Sequence, residues 1–193
     1  RGADAVILGS GLGRGSRRGE LVAALTLGIQ APLVLDADGL SATGTALDPI
    51  RSRTAPTVLT PHPGEMGRLL GQRSAQVESR RLGAARDLAR EAGALVVLKG
   101  DDTIVTDGER VAVNRLSAPG LATAGTGDAL SGGIGALLAR GTEPFTATCA
   151  AVFAHARAGV AAARLVGSPD GVIASDVIAA LPRALAPDDR DVE

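Results

Sequence analysis

Residues 122–133 read Ala122-Thr123-Ala124-Gly125-Thr126-Gly127-Asp128-Ala129-Leu130-Ser131-Gly132-Gly133, then continue into apolar residues at helical spacing. Glycine and threonine crowded before a helix leave backbone N–H groups unpaired. Those groups, with the positive end of the helix dipole, bind anions. Asp128 stands inside that turn. A carboxylate beside a bound phosphate is unfavourable unless it takes a proton from a hydroxyl that attacks the phosphate. The bland alternative is a carboxylate that only stabilises the helix start.

Upstream of this turn, short apolar runs alternate with helical patterns. Ala5–Gly9 is a strand pattern that ends in Gly9-Ser10-Gly11-Leu12-Gly13. A helix over Arg17–Gln30 follows. Leu33–Leu35 is a second strand, ending at Asp36-Ala37-Asp38-Gly39. Thr57–Thr60 is a third, running into Pro61-His62-Pro63-Gly64-Glu65. Ser74–Ala92 has helical periodicity and stops at Gly93. Ala94–Leu98 is a fourth strand, ending at Lys99-Gly100. Thr103–Thr106 and Arg110–Asn114 flank Asp107-Gly108, a strong hairpin signal. Beyond the glycine turn, helices are expected through about Ala139 and over Pro144–Leu165 and Ser175–Leu185, with a frayed tail at Pro187–Glu193. Continuous apolar strands alternating with helices predict an α/β fold, a mostly parallel central sheet with helices on both faces. Glycines and carboxylates cluster after the strands, where open α/β sheets bind ligands.

The 193 residues suffice for one domain. A net charge of −1 and 1% aromatic residues supply neither the charge nor the stacking platforms of a nucleic-acid binder. No apolar run is expected to approach the roughly 20 residues of a membrane span. The single cysteine, Cys149, excludes an intramolecular disulfide and fits a reducing cytoplasm. In an apolar helix it reads as an inert thiol rather than a nucleophile. With His62 and His155 as the only histidines, a structural zinc site is not expected. The chain starts at Arg1 and enters a strand pattern almost at once, so it reads as an interior piece of a longer chain. A Walker A sequence and a Gly-x-Ser-x-Gly elbow are both absent.

Lys and Arg total 20, yet Lys99 is the sole lysine. A compact ammonium kept where every other cation is Arg marks a place the guanidinium fork does not fit, or a compositional survivor.

Several segments together resemble one superfamily, the ribokinase-like kinases. They are Gly9–Gly13, Asp36–Leu40, Leu59–Met66, Leu98–Thr103 and Leu121–Asp128. Within it they are most similar to the ADP- or ATP-dependent NAD(P)H-hydrate dehydratases. Pro61-His62-Pro63-Gly64-Glu65 is the specific motif, since the superfamily's vitamin kinases carry Asn where His62 stands. The chain departs from the family pattern at Ser10 (usually Pro), at Ser117–Gly120 and at His155–Val160.

The resemblance implies a ribokinase-like domain, 1–193, without its N-terminal part. It implies a cytoplasmic lyase that repairs hydrated NADH or NADPH. The nucleotide phosphorylates the 6-hydroxyl, and phosphate then leaves. Asp128 would be the base. Gly11, Gly13, His62 and Asp128 would bind the hydrated dinucleotide. Lys99, Gly100, Asp101, Asp102 and Thr103, with Gly125, Thr126 and Gly127, would bind ADP or ATP. Glu65 would hold magnesium through water. A homo-oligomer is implied, with neither nucleic acid nor membrane as partner. A hydroxyethylthiazole- or hydroxymethylpyrimidine-type kinase and an inactive nucleotide-binding fragment are the alternatives. Read as residues alone, Glu65 is equally a first-turn capping carboxylate and His62 a neutral turn histidine. Asp36 and Asp38 end a strand and fit pocket-lining carboxylates and Asx turns equally, Asp101 and Asp102 read as solvated loop carboxylates, and His155 as a packed core side chain.

Overall fold

Valine, isoleucine and leucine in runs of three or four form strands because both faces of each run can be buried. In the computed structural model, which describes residues 2–13, 15 and 17–186, these runs are β1 (Val6–Leu8), β2 (Leu33–Leu35), β3 (Thr57–Leu59), β4 (Leu95–Leu98), β5 (Thr103–Thr106) and β6 (Val111–Asn114). The tail expected to fray, Pro187–Glu193, lies outside the described residues. The six strands form one sheet in the order β1-β2-β3-β4-β5-β6. β1 to β4 are parallel, and the Asp107-Gly108 turn makes β5 and β6 an antiparallel hairpin, itself antiparallel to β4.

Connecting helices are α1 (Arg18–Gly28), α2 (Ala37–Thr43), α3 (Asp48–Arg51), α4 (Pro63–Leu69), α5 (Ser74–Ser79) and α6 (Arg81–Ala92) before β4. After β6 come a 3-10 turn at Pro119–Ala122, then α7 (Thr126–Ala139), α8 (Pro144–Val166) and α9 (Ala174–Ala184). The pattern expected as one helix over Ser74–Ala92 is therefore two. The chain breaks at Arg80, with φ −143° and ψ 42°.

Alternation along each strand divides the core in two. Leu35, Leu59, Val96, Leu98 and Ile104 face the α1–α6 side, packed with Leu40, Met66 and Leu88. Val34, Val58, Val97 and Val105 face the other side, packed with Leu130, Ile134 and Val152 of α7 and α8. Register keeps like with like: Val34 pairs with Val58 and Leu35 with Leu59. A slip of one residue would send each set to the wrong face.

One sequence expectation needs correction. The helix α8 is long and apolar enough, by length and composition, to cross a membrane. Its apolarity has a local cause, since Ala151, Val152, Ala154, Ala158 and Ala162 are buried against the sheet, α7 and α9.

Candidate active site

Four parallel strands deliver a glycine loop and three polar side chains to one end of the sheet. β1 runs into the Gly9–Gly13 loop, β2 ends at Asp36, β3 leads to His62 and β4 leads to Lys99. The start of α7 descends onto the same end. Gly125 occupies the left-handed region at φ 86°, where a side chain would be strained, and this turns the chain into the helix. The first bond closing the helix is from the Ala129 N–H to the Gly125 carbonyl, 3.2 Å. The N–H groups of Thr126, Gly127 and Asp128 precede it and face outward as an anion cradle. The Thr126 hydroxyl braces this turn by donating to the carbonyls of Leu121 (2.6 Å) and Thr123 (2.8 Å).

Asp128 is the third residue of α7 and does not cap it. Its Oδ1 instead accepts a hydrogen bond from the Ser10 hydroxyl. The glycine loop therefore reaches the α7 carboxylate directly, across 118 residues of sequence. Gly11 and Gly13 have open space where a side chain would be. The Gly13 N–H donates to Asp38 Oδ2 at 3.0 Å, which fixes the loop's far end.

Lys99 is not a free point charge. Its Nζ donates to Asp36 Oδ1 at 3.0 Å and lies 3.9 Å from Glu65 Oε2. Asp36 also accepts from Ser131 of α7 (2.8 Å) and from the Ala37 N–H at the start of α2 (2.9 Å). The Asp36 carboxyl is only 2% exposed. Burial works to raise its pKa. The Lys99 charge and the Ser131 and Thr60 hydroxyls outweigh burial and hold it below the usual value. A Cβ on Gly127 would meet Lys99 Nζ at 3.6 Å and Asp36 Oδ2 at 3.8 Å, so the ion pair lies directly beneath the anion cradle.

Because Asp36 is depressed, its contribution to stability is present above the ordinary Asp value and is lost as pH falls through the lower folded value. Asp36→Asn is expected to lower unfolding free energy by on the order of 2 kcal/mol near neutral pH, less than a fully buried pair because Lys99 is partly exposed. Urea unfolding of both proteins between about pH 6 and pH 3 should show that gap closing as acid is added. A gap that stays constant would refute the pairing.

His62 and Glu65 form a capping box. The His62 Nδ1 accepts from the Gly64 N–H (3.0 Å) and the Glu65 N–H (3.3 Å), while Glu65 Oε2 accepts from the His62 N–H (2.9 Å). Both residues thus have the local structural role that the sequence left open. His62 is half-exposed, with Nε2 3.6 Å from Glu65 Oε1, and it lines a cavity of about 490 Å³.

That cavity joins the residues named from sequence to others that were not. Lys99, Gly100, Asp101, Thr103, Thr126 and Gly127 line it, while Asp102, Gly125 and Asp128 are not on its wall. Asn114 and His155 do line it, and the sequence offered no ligand role for either. His155 is buried, as expected, yet it forms part of the wall, with Nε2 lacking a hydrogen-bond partner. Burial pushes its pKa down, against the nearby Thr126 carbonyl, so the ring is neutral at neutral pH. Arg81 is another residue that sequence reasoning missed. From α6 it donates to the carbonyls of Lys99 (3.2 Å) and Asp102 (3.1 Å), shaping the β4–β5 loop from below. Cys149 is half-buried and burial raises its thiol, in keeping with an unreactive side chain.

Magnesium, which the resemblance implies, has no protein cage: among the described residues no three His, Cys, Asp or Glu side chains gather. Magnesium instead binds through one or two carboxylates with phosphate oxygens and water. Glu65 is the carboxylate that fits, its Oε2 3.9 Å from the Nζ of Lys99, which lines the cavity.

The NAD(P)H-hydrate dehydratase family pattern matches residues 1–183. The bifunctional NAD(P)H-hydrate repair enzyme Nnr of Thermofilum pendens is 41% identical over 186 residues, covering 96% of this chain and 35% of that protein. The ADP-dependent (S)-NAD(P)H-hydrate dehydratase of Neisseria meningitidis is 39% identical over 178 residues, covering 90% of this chain and 60% of that protein. The structure of the ADP/ATP-dependent NAD(P)H-hydrate dehydratase from Bacillus subtilis, co-crystallised with ATP and magnesium, superposes with a TM-score of 0.79 at 28% identity, covering 95% of this chain and 64% of that one. The chain thus spans about a third of the first relative and less than two thirds of the other two. The mostly parallel sheet flanked by helices is the ribokinase-like fold. On sequence and architecture together, the chain belongs to the NAD(P)H-hydrate dehydratase family.

Proposed function

We propose that this site removes water from hydrated NADH or NADPH at the expense of ADP or ATP. The observation that carries the reading is Asp128. It is a carboxylate placed after the Gly125-Thr126-Gly127 cradle, spared from capping, and already accepting a hydrogen bond from a hydroxyl. A base beside a phosphoryl cradle suits activation of an alcohol for attack on phosphorus.

The nucleotide lies along the cavity, its phosphates on the N–H groups of Thr126 and Gly127 near Lys99 and its remainder toward Thr103 and Asn114. Glu65 would hold magnesium through water, and the ion would supply neutralisation of the phosphate charge. Asp128 takes the proton of the dinucleotide's 6-hydroxyl as that oxygen bonds to phosphorus. Hydroxide is a poor leaving group and phosphate a good one, so the ring nitrogen's electron pair then expels phosphate, and loss of a proton from the neighbouring ring carbon restores the double bond. The half-exposed His62 contacts the hydrated ring, and Gly11 and Gly13 let the backbone approach it.

The test supplies hydrated NADH with ADP or ATP and follows the absorbance of reduced nicotinamide. Its recovery, with one phosphate released per dinucleotide, is expected. A stable phosphorylated product from hydroxyethylthiazole or hydroxymethylpyrimidine, with no action on the hydrate, would instead establish a vitamin-precursor kinase.

A further inference from the structure

Ser10 is the residue the proposed chemistry leaves unused, and it occupies the most sensitive position in the site. Its hydroxyl donates to Asp128 Oδ1, the bond that an acceptor alcohol must make with the base before attacking phosphorus. Ser10 is also exposed, so it is open to a bound nucleotide. Its main chain is held on both sides. Gly9 lies against the Asp36 backbone, the Leu12 N–H donates to the Gly9 carbonyl at 3.3 Å, and Leu12 packs on the core. The hydroxyl is therefore presented by a fixed loop to Asp128 in the first turn of α7.

We infer that Ser10 is a phosphate acceptor in its own right, a self-modification site that the nucleotide phosphorylates when no hydrated dinucleotide is bound. The inference rests on the phosphoryl-transfer reading of Asp128. The Ser10 Oγ lone pair forms a bond to the terminal phosphorus of ATP, or of ADP. The bond from that phosphorus to the bridging oxygen breaks, and its electron pair departs with ADP, or with AMP. The Oγ proton passes to Asp128. The product is a phosphoserine ester that has no ring nitrogen to expel its phosphate, so it persists. It places close to two negative charges against Asp128 and occupies the acceptor position, so the modified chain is inactive.

The protein is incubated with ATP labelled in its terminal phosphate, with and without hydrated NADH, and label is located by peptide mass spectrometry. Label on Ser10 is expected to approach one group per chain without hydrate and to fall at least several-fold with it. Ser10→Ala and Asp128→Asn should each abolish it, and Ser10→Thr, which keeps the hydroxyl, should retain it. Dehydration of the hydrate by a preparation that never labels Ser10 overturns the self-modification and leaves the dehydratase reading standing. Neither dehydration nor label overturns both. Label that persists in Asp128→Asn, or that hydrate does not suppress, overturns the assignment to this site.

Discussion

Asp128→Asn is expected to lower kcat for hydrate dehydration by about 10²–10⁴-fold, the usual contribution of a positioned general base. The substitution keeps the side chain's shape and its ability to accept from Ser10, and removes only the capacity to take a proton. Folding should be little affected. The helix start is made by Gly125, and a first-turn charge contributes only about 0.3–1 kcal/mol through the helix dipole. Nucleotide affinity should stay within a few-fold, because in the proposed binding mode the phosphates meet backbone N–H groups and Lys99. Steady-state kinetics with hydrated NADH, together with calorimetric titration of ADP, separates these effects. A kcat loss of less than tenfold would mean that another group takes the proton.

Gly9→Ala is expected to prevent folding, with a loss exceeding about 4 kcal/mol. A Cβ there would overlap the Asp36 carbonyl oxygen and lie 2.7 Å from its carbon, and the backbone at φ +150° disfavours any side chain. Neither obstacle can relax cheaply, because the Asp36 N–H donates to the Leu8 carbonyl at 3.1 Å and its side chain is fixed by Lys99 and Ser131. The effect should appear as insoluble expression or a collapsed urea midpoint. Gly2→Ala, where a Cβ meets nothing, is the control. A soluble Gly9→Ala protein with an unchanged midpoint would show that the first two strands are farther apart than described.

Local pattern made the strands, the hairpin and the glycine turn readable, because each depends on a few neighbouring residues. The break at Arg80 was hidden for the complementary reason. Between Ser74 and Leu82 there is no glycine or proline, so nothing in the sequence interrupts the helical period. Lys99 stood out by its rarity, but its partner did not. Asp36 lies 63 positions away, and only the parallel pairing of β2, β3 and β4 brings the two ends together. Ser10 and Asp128 are hidden in the same way. His62 and Glu65 were read for chemistry at the correct place, yet a proline-led helix start with Glu three residues on is also a capping box, and both roles use the same spacing.

Asp36 touches elements on both sides of the sheet: the first amide of α2 on one, Ser131 of α7 on the other, and Lys99 at the end of β4 between them. It works as a rivet through the laminate. The two helical layers cannot peel apart at this end without costing the buried carboxylate one of its hydrogen bonds. The proposed phosphoryl cradle therefore inherits the rigidity of the whole sandwich, and a substitution that loosens either layer is expected to register as a fault in the chemistry.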